Sequence, residues 1–317
     1  MGYTIKLAIF IIARESLVLA IWHSAHFQRK KIMDLIQSML RVSHILPKTK
    51  SNKMDVLFYA CLISIYLYPV FVASMMVGLL SNYEAKQYEY IAMFGVVAET
   101  APHASALVIH LMYNFYLLTL PLLVSFLYVF ICFHLSRMIA HMNSVLQKCG
   151  SLEKASHVFQ ESMKLFFVIE KLENAMSICV FFVVALNLAL SFTSFAYSLG
   201  YYDMSTSASS GVLSWFLSNQ ISFIFIVWTA SSVVNESKKL KITFQLVLIN
   251  LELSDQISIL FLQKVNMFDS ISLTGWKMFE FSKGLILSAT GVILTYGLLV
   301  LQTDNYISRR TPRINKG

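Results

Sequence analysis

The sequence predicts an all-α membrane protein, a multi-pass helical bundle whose helices run on into a cytoplasmic anchor region. Three observations predict it. Hydrophobic residues make up 57% of the 317-residue chain and charged residues only 13%, where a soluble domain carries roughly 25% charge. Six separate segments approach the ~20 mainly apolar residues needed to cross a bilayer. Lys and Arg crowd into alternate loops between those segments. So few charges cannot cover the surface of a soluble protein of this length, so lipid is the expected solvent and membrane lipid an expected partner. The formal net charge of +8 is no nucleic-acid footprint, because the basic residues are dispersed between apolar segments.

The first span, 5–22, contains Arg14 and Glu15 and lacks a small-x-small cleavage site behind it, which argues against a signal peptide. Charges at mid-bilayer cost about 2.5–3.5 kcal/mol each on insertion scales. Neighbours at i and i+1 do not face each other on a helix. The pair is therefore expected to sit in a shifted segment, to pack against a further helix, or to meet a ligand. The second span is 56–80. The third, 105–135, is too long for a hydrocarbon core of ~30 Å at 1.5 Å per residue. It is expected to continue below the membrane, bent near Pro121. The fourth, fifth and sixth spans are 176–199, 212–234 and 281–302.

Loop charge sets the orientation. Arg29, Lys30, Lys31, Arg41, Lys48, Lys50 and Lys53 follow the first span, and Lys86 stands alone among Glu84, Glu89 and Glu99 after the second. Basic residues return after the third span (Arg137, Lys148, Lys154, Lys164, Lys171) and after the fifth (Lys238, Lys239, Lys241, Lys264, Lys277, Lys283), with none around 201–203. The rich loops are read as cytoplasmic, which places the C-terminus outside. The tail residues Arg309, Arg310, Arg313 and Lys316 argue the other way and are outweighed by three loops. The sequon Asn235-Glu236-Ser237 falls on the cytoplasmic side and is expected to go unused.

Segments 135–171 and 240–268 carry apolar residues at helical spacing, among them Ile139, Met142 and Leu146, and Phe244, Val247, Leu248, Leu251 and Ile259. They are expected to be helices continuing the spans. No internal repeat or composition shift divides residues 1–317, which are expected to form one transmembrane domain.

Catalytic signatures are absent: no HExxH, Walker loop, GxSxG, GxGxxG or CxxC. No enzyme and no cofactor is expected. His23 with His26, and His134 with His141, are placed as amphipathic residues at the inner membrane boundary rather than as metal ligands. Cys61, Cys132, Cys149 and Cys179 lack zinc spacing, and no disulfide framework is expected.

The last span is patterned. Ser288, Thr295 and Gln302 recur every seven residues, nearly two helical turns, with Gly284 and Gly291 beside them. Such a stripe fits close helix packing through small residues and hydrogen bonds, or a wet surface along an aqueous path. Gln302 is the hardest to place as packing, because a primary amide needs several partners.

In this helix the chain resembles the insect gustatory receptors, members of the insect chemoreceptor superfamily. Their signature is Thr-Tyr, five apolar residues, then Gln-Phe in the final membrane helix. Residues 295–304 read TYGLLVLQTD, with Thr303 in place of the Phe. The preceding FLQKVNMFDSISLTGWKMFEFSKGLILSATGVIL is similar to the family's approach to that helix. The resemblance implies a taste receptor subunit of the plasma membrane of sensory neurons, a tastant-gated, non-selective cation channel mediating acceptance or avoidance. It implies a homo- or hetero-tetramer of related subunits around a central pore, and a small-molecule tastant in an outward-facing pocket. Carried over, Gln302 lines the pore, Leu299 and Thr303 occupy the constriction, and Thr295 and Tyr296 fix the helix against its neighbours; Ser288 continues the stripe below. The family has seven spans, so matching from the C-terminus implies that its first helix is missing here.

Candidate pocket residues are those placed in the outer half of the bundle: Tyr68 and Met75, His110, Tyr113 and Asn114, and Trp215 and Asn219. Aromatic rings with a few polar groups suit small organic ligands. A G-protein-coupled receptor would end in the cytosol, against the charge reading. A secondary transporter often shows related halves and broken central helices, and neither is evident.

Overall fold

A computed structural model describes residues 2–43, 52–80, 108, 111–112, 114–196, 206–250 and 272–310. Six α-helices dominate them: α1 (Gly2–Val42), α2 (Asn52–Leu80), α3 (Leu120–Leu146), α4 (Leu152–Ala196), α5 (Thr206–Asn250) and α6 (Lys283–Arg310). Each predicted span has its own helix, although the third, 105–135, joins α3 only at Leu120 and lies in part outside the described residues. Phe115–Leu146, Leu152–Phe195 and Phe216–Ile249 are long and apolar enough to cross a membrane. Phe58–Val72 of α2 and Lys283–Tyr296 of α6 are shorter apolar stretches. The fold class is all-α, a multi-pass bundle of the membrane type.

α4 and α5 contain 45 residues each. That is on the order of 68 Å of helix, about twice a hydrocarbon core. The surplus forms the anchor. α3 runs on to Leu146 and closes through hydrogen bonds from the N–H groups of Gln147, Lys148 and Cys149 to carbonyls three and four residues back. α4 then begins at Leu152, so segment 135–171 is a helical hairpin. α5 carries the other extension as far as Asn250. The rest of segment 240–268 lies outside the described residues, as do Glu84, Glu89, Glu99 and residues 201–203.

α4 is the central post, packed against α1, α3, α5 and α6. Its sequence explains why. Leu165, Ile169, Leu172, Met176, Cys179, Val183, Leu186 and Leu190 recur every three or four residues and are all buried. This apolar row continues from anchor to membrane. Glu170 and Asn174, between its members, face outward.

Pro121 has no N–H to give the carbonyl four residues earlier. The irregularity expected there takes the form of a π-helical turn, Phe115–Thr119, leading into α3. The Ser125 hydroxyl donates to the Pro121 carbonyl at 2.7 Å.

One sequence expectation is corrected. Arg14 and Glu15 do meet: Nε and Nη2 of Arg14 reach Oε1 of Glu15 at 3.3 and 3.0 Å. Long side chains bend around the helix even though their Cβ atoms diverge, so one buried charge neutralises the other where water is scarce. Residues 272–282, just ahead of α6, are not helical. A hairpin intervenes, β1 (Thr274–Gly275) and β2 (Phe279–Glu280), pairing Thr274 with Glu280 and Gly275 with Phe279. Met278 N–H donates to the Gly275 carbonyl at 2.8 Å across a turn whose central residues, Trp276 and Lys277, have φ of 48° and 57°. That is the turn geometry of tight hairpins, usually given to Asn and Gly.

Candidate functional site

The outer surface of α6 comes first. Phe281 and Ile293 are buried, and Leu285, Ile286 and Ala289 are half-buried. Positions 285, 289 and 293 form a single ridge, and α6 meets α4 and α5. Ser288 and Thr295 lie on the far side of the helix from Ile293 and are exposed, as are Gly284 and Gly291. A methyl group added at Gly291 would meet nothing within 4 Å. The described part of the stripe, Gly284, Ser288, Gly291 and Thr295, is thus exposed and turned away from the ridge that packs on α4 and α5. Tyr296 and Leu299 are also exposed, at 58% and 55%. The Thr295 and Tyr296 side chains form no hydrogen bond among the described residues. Gln302 and Thr303 lie within α6, with side chains outside the described residues.

Beside this surface runs an apolar groove of about 400 Å³, lined by Leu188 and Phe192 of α4 and by Leu285, Ser288, Val292, Ile293 and Tyr296, among others, of α6.

In the upper part of the bundle, the Tyr68 hydroxyl bonds to Ser218 Oγ at 3.0 Å, joining α2 to α5. Asn219, next along α5, is buried, and so is Asn114 just before the π-helical turn. Met75 and Trp215 lie on α2 and α5 with side chains outside the described residues, and His110 and Tyr113 fall outside them altogether. Asn187 Nδ2 donates to Ser222 Oγ at 3.2 Å, and Ser222 Oγ is 3.2 Å from Ser125 Oγ. One polar seam thereby links α4, α5 and α3. Ser191 and Ser194, also buried, continue it along α4. Sequence reasoning missed this seam. The available signal was Asn187, Ser191 and Ser194 at i, i+4 and i+7 on one helix, with Ser218 and Ser222 four apart on another.

The hairpin ties α6 to the post. Glu173 of α4 accepts the Thr274 backbone N–H at 2.9 Å and the Thr274 hydroxyl. Trp276 N–H donates to the Ser177 carbonyl at 3.3 Å, and the Trp276 ring packs on Phe181 and Phe182 at centroid distances of 5.4 and 5.9 Å. Leu273 is fully buried, and Phe281 packs on Tyr128 at 6.0 Å. Burial pushes the Glu173 carboxyl above its ordinary value, against the opposing pull of the Thr274 hydrogen bonds and the Lys277 charge.

The histidines placed at the inner boundary are ring partners: His23 stacks on Phe27 and His134 meets Phe130 edge-on at 4.3 Å. The four cysteines are free thiols.

No known family's sequence profile matches this chain, and no curated protein does. Solved structures do. The insect olfactory receptor OR5 from Machilis hrabei matches with a TM-score of 0.68 at 15% identity, over 93% of this chain and 80% of the receptor. The same receptor in complex with eugenol matches with a TM-score of 0.62 at 15% identity, over 87% of this chain and 70% of the receptor. At that identity the likeness speaks for the fold, and the architecture built up above is the one this chain shares with an insect olfactory receptor.

Proposed function

We propose that residues 1–317 form one chemoreceptor domain, a subunit of a tastant-gated, non-selective cation channel in the plasma membrane of sensory neurons. The carrying observation is that Ser288 and Thr295 of α6 are exposed, opposite the ridge that packs on α4 and α5, in a chain with an olfactory receptor's fold. Four subunits, identical or related, bring their α6 helices around a shared axis. Ser288, Thr295 and Gln302 then border water, while Leu299 and Thr303 form the narrowest ring near the exit. A ring that gates by dewetting needs apolar walls, and Thr303 is a weaker barrier than Phe. Tyr296 packs against the adjacent helix. The tastant, a small organic molecule, enters the outer half of each subunit, where Tyr68, Asn114 and Asn219 supply polar contacts beside Met75, His110, Tyr113 and Trp215. Occupancy of that pocket moves α4 and α5, and the hairpin transmits the movement to α6. Taste rather than smell is favoured by the Thr-Tyr and Gln spacing at 295–302.

The test is expression with related subunits and recording of tastant-evoked current, together with surface labelling of terminal tags in intact cells. The expected result is a cation current, a C-terminal tag labelled from outside, and altered permeation or gating in Gln302→Ala. A conducting channel unchanged by that substitution removes Gln302 from the pore, and a C-terminal tag reachable only after permeabilisation favours a G-protein-coupled receptor instead.

A further inference from the structure

The outward side of α1 changes character within one helical turn. Ile12, Leu19, Trp22 and Phe27 are exposed, Phe27 at 79%. His23 and His26 flank the Phe27 ring at 6.3 and 6.2 Å. An exposed apolar run ending in aromatic and imidazole rings is what a helix presents where acyl chains give way to headgroups. Arg29, Lys30 and Lys31 follow immediately, all exposed. Successive residues lie about 100° apart on a helix, so these three cations fan across its outer side.

Several other cations of the anchor are engaged. Lys164 pairs with Glu161 and Lys239 with Glu236, each at 2.6 Å. Lys171 bonds to Ser38 at 2.9 Å and sits over the Phe167 ring, and Arg137 sits over Phe133. Among the described residues, Arg29, Lys30 and Lys31 enter no ion pair, and neither does Asp34, the nearest carboxylate along the helix. Three cations without an ion pair among the described residues, at the end of an exposed apolar stretch, match an anion held at that depth.

We infer that Arg29, Lys30 and Lys31, with exposed Trp22 and the His23–His26–Phe27 ring cluster above them, form a binding site for the headgroup of an anionic phospholipid. The guanidinium and ammonium groups contact the phosphate and any further headgroup anion, while Trp22 and Phe27 lie along the acyl chains. The site belongs to the lipid and not to free phosphate, because only a lipid brings apolar chains to the exposed rings. It does not depend on what the channel senses or on whether it conducts.

The test uses the purified full chain in bilayer discs of phosphatidylcholine doped with phosphatidylserine, with retained lipid identified by mass spectrometry after release. The intact protein is expected to retain phosphatidylserine preferentially. A cation near a membrane surface contributes a factor of about five to that preference, so Arg29→Gln, Lys30→Gln and Lys31→Gln together should lower it on the order of a hundredfold. The charge-conserving set Arg29→Lys, Lys30→Arg and Lys31→Arg should keep it, and so should Lys238→Gln with Lys239→Gln on α5. If the triple variant does not survive purification, each single glutamine variant should show its own roughly fivefold fall. Undiminished retention in the glutamine variants overturns the assignment. So does loss of retained phosphatidylserine to inorganic phosphate at matched ionic strength, which would mark a free-anion site.

Discussion

Gly275 shows how one residue can hold a junction in place. A Cβ there would lie 2.5 Å from the Phe279 ring, which is itself wedged against Phe181 and Phe281. Gly275→Ala should therefore push the ring out of its packing and cost about 1–3 kcal/mol, the range for overfilled cores; thermal unfolding of the detergent-solubilised protein reads it, and an unchanged midpoint would show that the ring has room to shift. Tyr68→Phe removes only the hydroxyl bonded to Ser218. A net hydrogen bond contributes about 1 kcal/mol. Ser218→Ala added to Tyr68→Phe should cost little more than either alone. Full additivity in the double mutant would mean the two hydroxyls are not coupled.

At the scale of elements, the hairpin is the joint between α4 and α6. Glu173 holds it through two donors of Thr274 and is itself pushed above the ordinary carboxylate range by burial. The sign of the pH effect follows. A carboxyl whose folded-state pKa is raised binds more protons folded than unfolded between the two values. Its contribution to stability is therefore greatest in acid and falls as pH rises through the raised value. Hydrogen exchange at the Thr274 and Trp276 amides, corrected for intrinsic rates, should show less protection as pH climbs from the ordinary carboxylate range. Glu173→Gln should flatten that dependence, and a slope that survives the substitution would place its source elsewhere. If α6 is the pore helix, Thr274→Val should also shift tastant sensitivity without abolishing assembly, since it loosens the joint and leaves the exposed face of α6 intact.

At the scale of the whole molecule, α4 carries the core. Leu172 is fully buried near the middle of α4. Leu172→Ala should destabilise the protein by about 2–5 kcal/mol, as buried Leu truncations do. Because α4 touches α1, α3, α5 and α6, loss of native helix should occur in one step when followed by circular dichroism. A variant in which α6 melts separately would show that the hairpin, not the post, limits stability. The outward side of α6 behaves differently: Thr295 is exposed, so Thr295→Val should leave the unfolding of the single chain unchanged, and under the proposed channel reading it should alter conduction.

The six helices, their order and their extension beyond the bilayer were legible in the residues, because apolar runs of a given length and loops of alternating charge respond to the solvent and not to any particular neighbour. The stripe at 288, 295 and 302 was legible for the same reason, since spacing alone puts residues on one side of a helix. Which way that side points was not, because a stripe has no address until Leu285, Ala289 and Ile293 find α4 and α5. The Arg14–Glu15 contact, the Asn187–Ser222–Ser125 seam and the Glu173–Thr274 joint, with its left-handed Trp276 and Lys277, were hidden for a related reason. Each is a bargain struck between residues brought together by packing or by side-chain bending, where a buried polar group or a strained backbone is tolerated only because its partner is already in place.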